Sequence, residues 1–339
     1  MANGAQRARP RMRDVALEAG VSVKTVSRVV NRDPVVAPET AARVQAAIRR
    51  LGFRRDEMAR ALRTGGQSRM LGLVIKDLAN PFYSAIARGV EEVTRSRSEL
   101  VITGSSDEDP VRERELALQL CERRVDGLLI VPSGDDHRYL LPEIELGVQV
   151  VFIDRPPEGI EADTVLLDNV GGARAGVEHL IRLGHRRIAM VGDDMRIFTA
   201  RERRRGFYAA MADAGLEPDD SLVRVDVHDA ATAEQVTHEL IALPDPPTAL
   251  FAANNRIVTG ALRALAAAGQ ELALVSFDDL ELADLLSMPV SAISYDTAEL
   301  GRRAAQLLVA RLAGDTGPPQ RIVLPTTLIP RGVHEVAAA

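Results

Sequence analysis

Ten short apolar runs, LGLVI, ELVITG, DGLLIVP, VVFID, DTVLLD, RIAMVG, LVRVDV, ALFAAN, LALVSFD and SAISY, recur between residues 71 and 295. Between them lie stretches of helical periodicity at 82–97, 110–124, 171–183, 201–214 and 255–268. No other feature constrains the fold as tightly. A run that is apolar at every position, not at every second one, must have both faces covered, which is the condition of a strand in a parallel sheet flanked by helices. The span 70–339 is too long for one comfortable doubly wound sheet, so the rhythm predicts two α/β lobes. Open α/β sheets bind ligands beyond the carboxyl ends of their strands. Asn80, Asp154, Asn169, Asp193, Asn254 and Asp278 stand at or just past such ends and are candidates to converge on a hydroxyl-rich ligand.

The rhythm is absent before residue 70, and there charge takes over the argument. Residues 1–66 carry 13 Arg and one Lys against six Asp or Glu, a balance of +8, while the remainder carries 28 basic and 42 acidic side chains, a balance of −14. A basic head on an acidic body suits nucleic-acid binding, although a solvated basic face has the same composition. The pattern within the head is more specific. Val15, Ala16, Ala19, Val21, Val26 and Val29 are spaced as in two short helices with Gly20 at the corner, where the backbone needs a residue that tolerates positive φ. Ser22 caps the second helix, and Ser22, Val23, Lys24, Thr25, Ser27, Arg28 and Asn31 fall on its exposed faces. A third helix follows in PETAARVQAAIRRLG, with Pro38 in its first turn and Ala41, Val44, Ile48 and Leu51 along one face. In RRDEMARALRTGG, Asp56 can cap a short segment presenting Ala59 and Leu62 before Gly65 and Gly66 break it.

Other classes are weighed against these features. The lone Cys121 excludes internal disulfides and a thiolate metal cluster. No apolar run reaches the roughly 18 residues of a membrane span, and MANGAQRARPRMRD lacks the apolar core of a secretory signal, so a cytoplasmic location is expected. Gly171 and Gly172 do not form a phosphate loop after a strand, and His179 and His185 lack the i, i+4 spacing of a helical zinc site. Neither a cofactor, a metal nor an enzymatic activity is expected. From the body alone, a cytoplasmic small-molecule-binding protein or an α/β enzyme without DNA regulation stays open.

DVALEAGVSVKTVSRVVN followed by LGFRRDEMARALRTG resembles the DNA-binding head and hinge of the lactose/galactose repressor family of bacterial transcription regulators. NPFYSAIARGVE, DNVGGARAGVEHLIRLGHRRIAMVG, TARERRRGF, GALRAL, FDD and ELGRRAAQLL extend the resemblance over essentially the whole chain. It implies an all-α helix-turn-helix head on an α/β two-lobed, type I periplasmic-binding-protein-like regulatory domain. The implied division is a disordered basic tail at 1–11, a DNA-binding domain at 12–54, a hinge helix and linker at 55–69, and an effector-binding and dimerisation domain at 70–339. Three crossovers would join the lobes, the first lobe comprising about 70–160 plus 291–322. By the same resemblance Val23, Lys24 and Arg28 face base edges and Ser22, Thr25, Ser27 and Asn31 face phosphates. Ala59 and Leu62 belong to a hinge that inserts paired leucines into the minor groove. The implied partners are a palindromic double-stranded operator, a second copy of the chain and a small-molecule effector of carbohydrate type, with no membrane. Effector contacts carry over to Phe82, Asp154, Arg203, Asn254 and Asp278. His228 and Tyr295 join them where relatives place an aromatic platform and a glutamine. Asn255, where relatives often carry Asp, leaves the effector's identity open, an acidic or phosphorylated ligand included.

Overall fold

The computed structural model describes residues 10–31, 33–54 and 67–332. Its two compact units are Met1–Ser68 and Arg69–Ala339. Ala59 and Leu62 lie outside the described residues, as does almost all of the expected tail at 1–11.

In the first unit, helices α1 (Met12–Ala19), α2 (Val23–Val30) and α3 (Pro38–Leu51) enclose a core of Val15, Ala16, Ala19, Val26, Val29, Val44 and Ala47. Gly20 ends α1 at φ 63°, ψ 41°, its N–H directed at the carbonyls of Ala16 and Leu17, a left-handed cap that glycine adopts without a Cβ penalty. Ser22 then opens α2 by accepting the Thr25 N–H at 3.1 Å. Pro38 occupies the first turn of α3, and Gly52 closes that helix at φ 65°.

The second unit contains two six-stranded sheets. The first runs in the order β11-β5-β4-β3-β1-β2, with β1 Met70–Ile75, β2 Leu100–Ser105, β3 Gly127–Ile130, β4 Gln149–Ile153, β5 Asp163–Leu167 and β11 Arg321–Leu324, all parallel. The second runs β12-β10-β9-β8-β6-β7, with β6 Ile188–Val191, β7 Val223–Arg224, β8 Ala249–Ala252, β9 Ala273–Phe277, β10 Val290–Ser294 and β12 Thr327–Ile329. Only β12 in it is antiparallel. All ten apolar runs are strands; eight are interior strands with both faces largely covered and so no polar side to show, while β2 and β7 are half-buried edge strands. The two strands that the rhythm missed, β11 and β12, sit at sheet edges, partly exposed, and flank Pro325.

Helices α4 (Pro81–Arg95), α5 (Pro110–Glu122) and α11 (Thr297–Leu312) pack with the first sheet. Helices α7 (Asn169–Arg182), α8 (Phe198–Asp213), α9 (Ala230–Ile241) and α10 (Asn255–Ala268) belong to the second, while α6 (Leu141–Glu145) is a short turn before β4. The chain therefore crosses between lobes three times, at 168, at 295–296 and at 325–326. The strand 290–294 pairs with β9, so the first lobe resumes at α11 and not at residue 291 as expected. Apolar content does not distinguish one buried sheet from another. Pairing does.

Glycine sets how closely the helices meet. A Cβ on Gly89 in α4 would lie 1.9 Å from the Ala298 carbonyl oxygen, and one on Gly301 in α11 would lie 2.1 Å from that of Ile86. The two helices thus touch backbone to backbone, and no rotamer change relieves an added methyl. Gly89→Ala is expected to lower the stability of the body by about 1–3 kcal/mol or more, read as a lower urea midpoint at unchanged m-value.

Candidate functional site

Two equivalent turns place the most unusual side chains of the body. Asp154 follows β4 and Asp278 follows β9, the same position in the two sheets. Both adopt left-handed backbone, φ 69° and φ 86°, and both donate their N–H to the next strand, to Val165 at 2.8 Å and to Ile293 at 3.1 Å. Aspartate tolerates this region better than most residues, yet the conformation still costs of order 1 kcal/mol, and such strain concentrates at functional sites. The turn carries both carboxyl groups into the cleft between the lobes.

That cleft is lined by Lys76, Asn80, Phe82, Tyr83, Asp154 and Arg155 from the first lobe. The second lobe supplies Asp193, Ile197, Thr199, Arg203, His228, Asn254, Asn255, Arg256 and Asp278. Its inner cavity measures about 50 Å³, room for only a few waters. Six of the seven expected effector residues meet here, and Tyr295 joins through its hydroxyl, which donates to Asp278 Oδ1.

Arg203 is buried on α8 with its guanidinium 3.8 Å from the centroid of the Phe277 ring. Its Nε donates to Asn169 Oδ1 at 2.8 Å and its Nη1 to the Ala253 carbonyl at 2.6 Å. The stacked ring and these two acceptors hold the fork still, which a flexible ammonium would not permit. Asp278 accepts the Asn255 N–H at 3.0 Å as well as the Tyr295 hydroxyl. Burial pushes the carboxyls of Asp154 and Asp278 above the usual range, although Arg155 and Arg203 oppose this at Asp154, and Arg203 and Tyr295 at Asp278. Asn254 has a structural duty: its Oδ1 caps α10 by accepting from Arg256 and Ile257, and its Nδ2 faces Asp193 Oδ2 at 3.3 Å. His228 donates Nδ1–H to Asp193 at 2.8 Å, and Phe82 packs edge-on to Tyr83 and Tyr295.

A charge network around Arg155 escaped the sequence. Its side chain is 7% exposed, it is bonded by both terminal nitrogens to Glu108 and by Nη1 to the Pro132 carbonyl, and its Nε lies 3.6 Å from Asp154. Lys76 reaches Glu108 at 2.9 Å, and despite burial the two cations hold that carboxyl below its usual range. The available signal was a charged residue directly after a strand-end aspartate, followed by two prolines. Asp154 Oδ1 and Arg155 Nε are buried without a hydrogen-bond partner among the described residues, each at a cost of about 1–3 kcal/mol. Across the cleft Asn255 Nδ2 donates to Asn80 at 2.9 Å, and Arg256 pairs with Asp77.

In the basic unit, Ser22, Val23, Lys24, Arg28 and Asn31 are exposed, whereas Thr25 and Ser27 are half-buried and the Thr25 hydroxyl lies 2.9 Å from that of Ser22. Among the described residues the Arg28 side chain makes a loose contact, 3.8 Å to Asp33.

Residues 11–56 match the model of bacterial regulatory proteins of the lacI family, and residues 177–332 match a periplasmic binding protein-like domain. The ribose operon repressor of Escherichia coli strain K12 is 32% identical over 95% of this chain and 98% of its own length. The chain belongs to the lacI family of transcription regulators. Among solved structures of the family, the transcriptional regulator CelR in complex with cellobiose is 32% identical over 96% of this chain and 100% of that one, with a TM-score of 0.70. The lac repressor dimer bound to operator and an anti-inducer is 26% identical, covers 97% and 100%, and superposes with a TM-score of 0.86. The fold is accordingly the family's: a helix-turn-helix head and a two-sheet α/β regulatory domain.

The raised pKa of Asp154 has a stability consequence with a definite sign. A carboxyl whose folded pKa exceeds its unfolded value of about 3.9 keeps a proton in the folded state that the unfolded chain releases, so stability falls as pH rises through that window. Asp154→Asn removes the titration. Thermal unfolding should show little change near pH 4 and a gain in stability for the variant at pH 7.

Proposed function

We propose that the protein is an operator-binding repressor that acts in the cytoplasm as a homodimer, and that a sugar or sugar derivative bound between its lobes changes its affinity for DNA. The observation that carries the effector reading is the pair of strand-end carboxyls, buried Asp154 and half-buried Asp278, one from each lobe, converging with Arg203 on one cleft. Adjacent hydroxyls of a sugar satisfy such groups bidentately, and a ligand that touches both lobes favours one relative orientation of them. The E. coli repressor named for ribose and the CelR complex with cellobiose support the carbohydrate class. Asn255, His228 and Tyr295 belong to the same site and set which sugar fits.

Calorimetry across sugars and sugar phosphates, paired with operator titrations, tests this reading. Arg203→Ala and Asp278→Ala are each expected to weaken the effector by about 2 kcal/mol, a loss of tenfold or more. Unchanged affinity in both variants would place the site elsewhere, and thermal unfolding of each separates lost folding from lost binding.

For DNA, Val23, Lys24 and Arg28 read bases, and Ser22, Thr25, Ser27 and Asn31 position the helix on phosphates. Ala59 and Leu62 act in the hinge, with Leu62 as the minor-groove wedge. The weak tie of Arg28 to Asp33 leaves its fork available to a guanine edge. Arg28→Ala should cost about 1–3 kcal/mol on the operator and far less on random DNA in anisotropy titrations. An equal loss on both would reassign Arg28 to phosphate.

A further inference from the structure

A second chamber adjoins the cleft and is assigned no role by the reading above. It measures about 500 Å³, ten times the inner cavity, and falls within the range of ligand pockets. Arg155 and Ile197 line both spaces, so the chamber continues the cleft outward. Its walls come from both lobes, from 132–135 and 155–158 on one side and 194–201 on the other.

The chemistry of those walls narrows the occupant. Glu108, Asp135, Glu158 and Asp194 face three guanidinium groups, those of Arg155, Arg196 and Arg201. Two of the three are already matched, Arg155 by Glu108 and Arg196 by Asp194 at 2.7 Å. The third, Arg201, donates to the carbonyls of Met195 and Arg196 at 3.2 and 2.6 Å. With Lys76 also bound to Glu108, the four carboxylates balance four cations, so the walls carry no net positive charge to draw a phosphate or carboxylate, while paired charges retain lone pairs and N–H groups for hydroxyls. Pro132, Pro156 and Phe198 add apolar faces of the kind a sugar ring lies against. At the neck between the two spaces stand the unpartnered acceptor Asp154 Oδ1 and donor Arg155 Nε, on adjacent residues. A hydroxyl of a linked sugar satisfies both, accepting from Arg155 Nε–H and donating to Asp154 Oδ1.

Resting on the proposed sugar-responsive function, we infer that the effector is an uncharged oligosaccharide or glycoside of at least two units. One ring is held at Asp154, Arg203 and Asp278, where the 50 Å³ inner cavity has to widen to admit it, and the next occupies the chamber. A ligand of that length ties 132–135 to 194–201 as well as the two cleft floors, and so couples more strongly to lobe orientation than a single ring does.

The test is calorimetry on the full chain with glucose, galactose and ribose against cellobiose, lactose, maltose and fructose 1-phosphate, with operator titrations alongside. A disaccharide is expected to bind at least tenfold more tightly than its constituent monosaccharides and to shift operator affinity further. Asp135→Trp fills the chamber at an exposed residue that takes part in no hydrogen bond or ion pair among the described residues. It should lower the ratio of disaccharide to monosaccharide affinity at least tenfold, and Arg201→Ala should lower the same ratio with no bulk added; thermal unfolding verifies that both variants fold. Monosaccharides binding as tightly as disaccharides, fructose 1-phosphate binding most tightly of all, or a ratio unmoved in both variants would overturn the inference while leaving a sugar-responsive regulator in place. No response to any of the seven compounds, in heat or in operator affinity, would remove the sugar-responsive reading itself and this inference with it.

Discussion

Two carboxyl groups drawn inward at the ends of equivalent strands, Asp154 buried and Asp278 half-buried, are the constraint to which the rest of the cleft answers. Asp154 and Asp278 are carried inward by left-handed turns, and burial alone disfavours their charged forms. The surroundings compensate in part. Arg203, clamped over Phe277, lends its field to both, Tyr295 donates to Asp278, and Arg155 stands beside Asp154. Compensation is incomplete at Asp154, whose Oδ1 has no hydrogen-bond partner among the described residues. A site that keeps costly charge partly unsatisfied gives up stability for affinity toward whatever supplies the missing hydrogen bonds.

The same groups connect binding to shape. Three chain crossings join the lobes, and among the described residues the polar contacts across the cleft are Arg256 with Asp77, Asn255 with Asn80, and a 4.0 Å approach of Lys76 to Asp193. These are short polar contacts at a partly exposed surface, each worth little, so the relative orientation of the lobes is a balance a ligand can tip. The glycine contact between α4 and α11 is the opposite case. Both helices belong to the first lobe, and their backbones meet without space for a methyl, so the two are locked against each other.

The sequence made the strands and the recognition helix legible because both follow from short-range physics. A strand covered on both faces must be apolar throughout, whichever sheet it joins, and the corner of α1 and α2 requires glycine at Gly20 whatever surrounds it. Strand ends could be located the same way, which is why Asp154, Asn254 and Asp278 stood out, and resemblance brought Phe82 and Arg203 to the same cleft. The edge strands β11 and β12 gave no comparable signal, being half exposed and alternating around Pro325.

Charge pairing and sheet membership were decided in three dimensions. Arg155, Glu108 and Lys76 look like solvated charges in the chain, and 47 positions separate Arg155 from the carboxylate that holds it. Asn254 looked like a ligand residue and proves also to be the cap of α10, a duty visible only once the helix start is known. SAISY could be read as a buried strand but not as a strand of the second sheet, since hydrogen bonding to β9 is a property of the partner. Local periodicity records whether a residue is buried. Which groups it is buried against depends on contacts between distant segments, and only the tertiary structure supplies those.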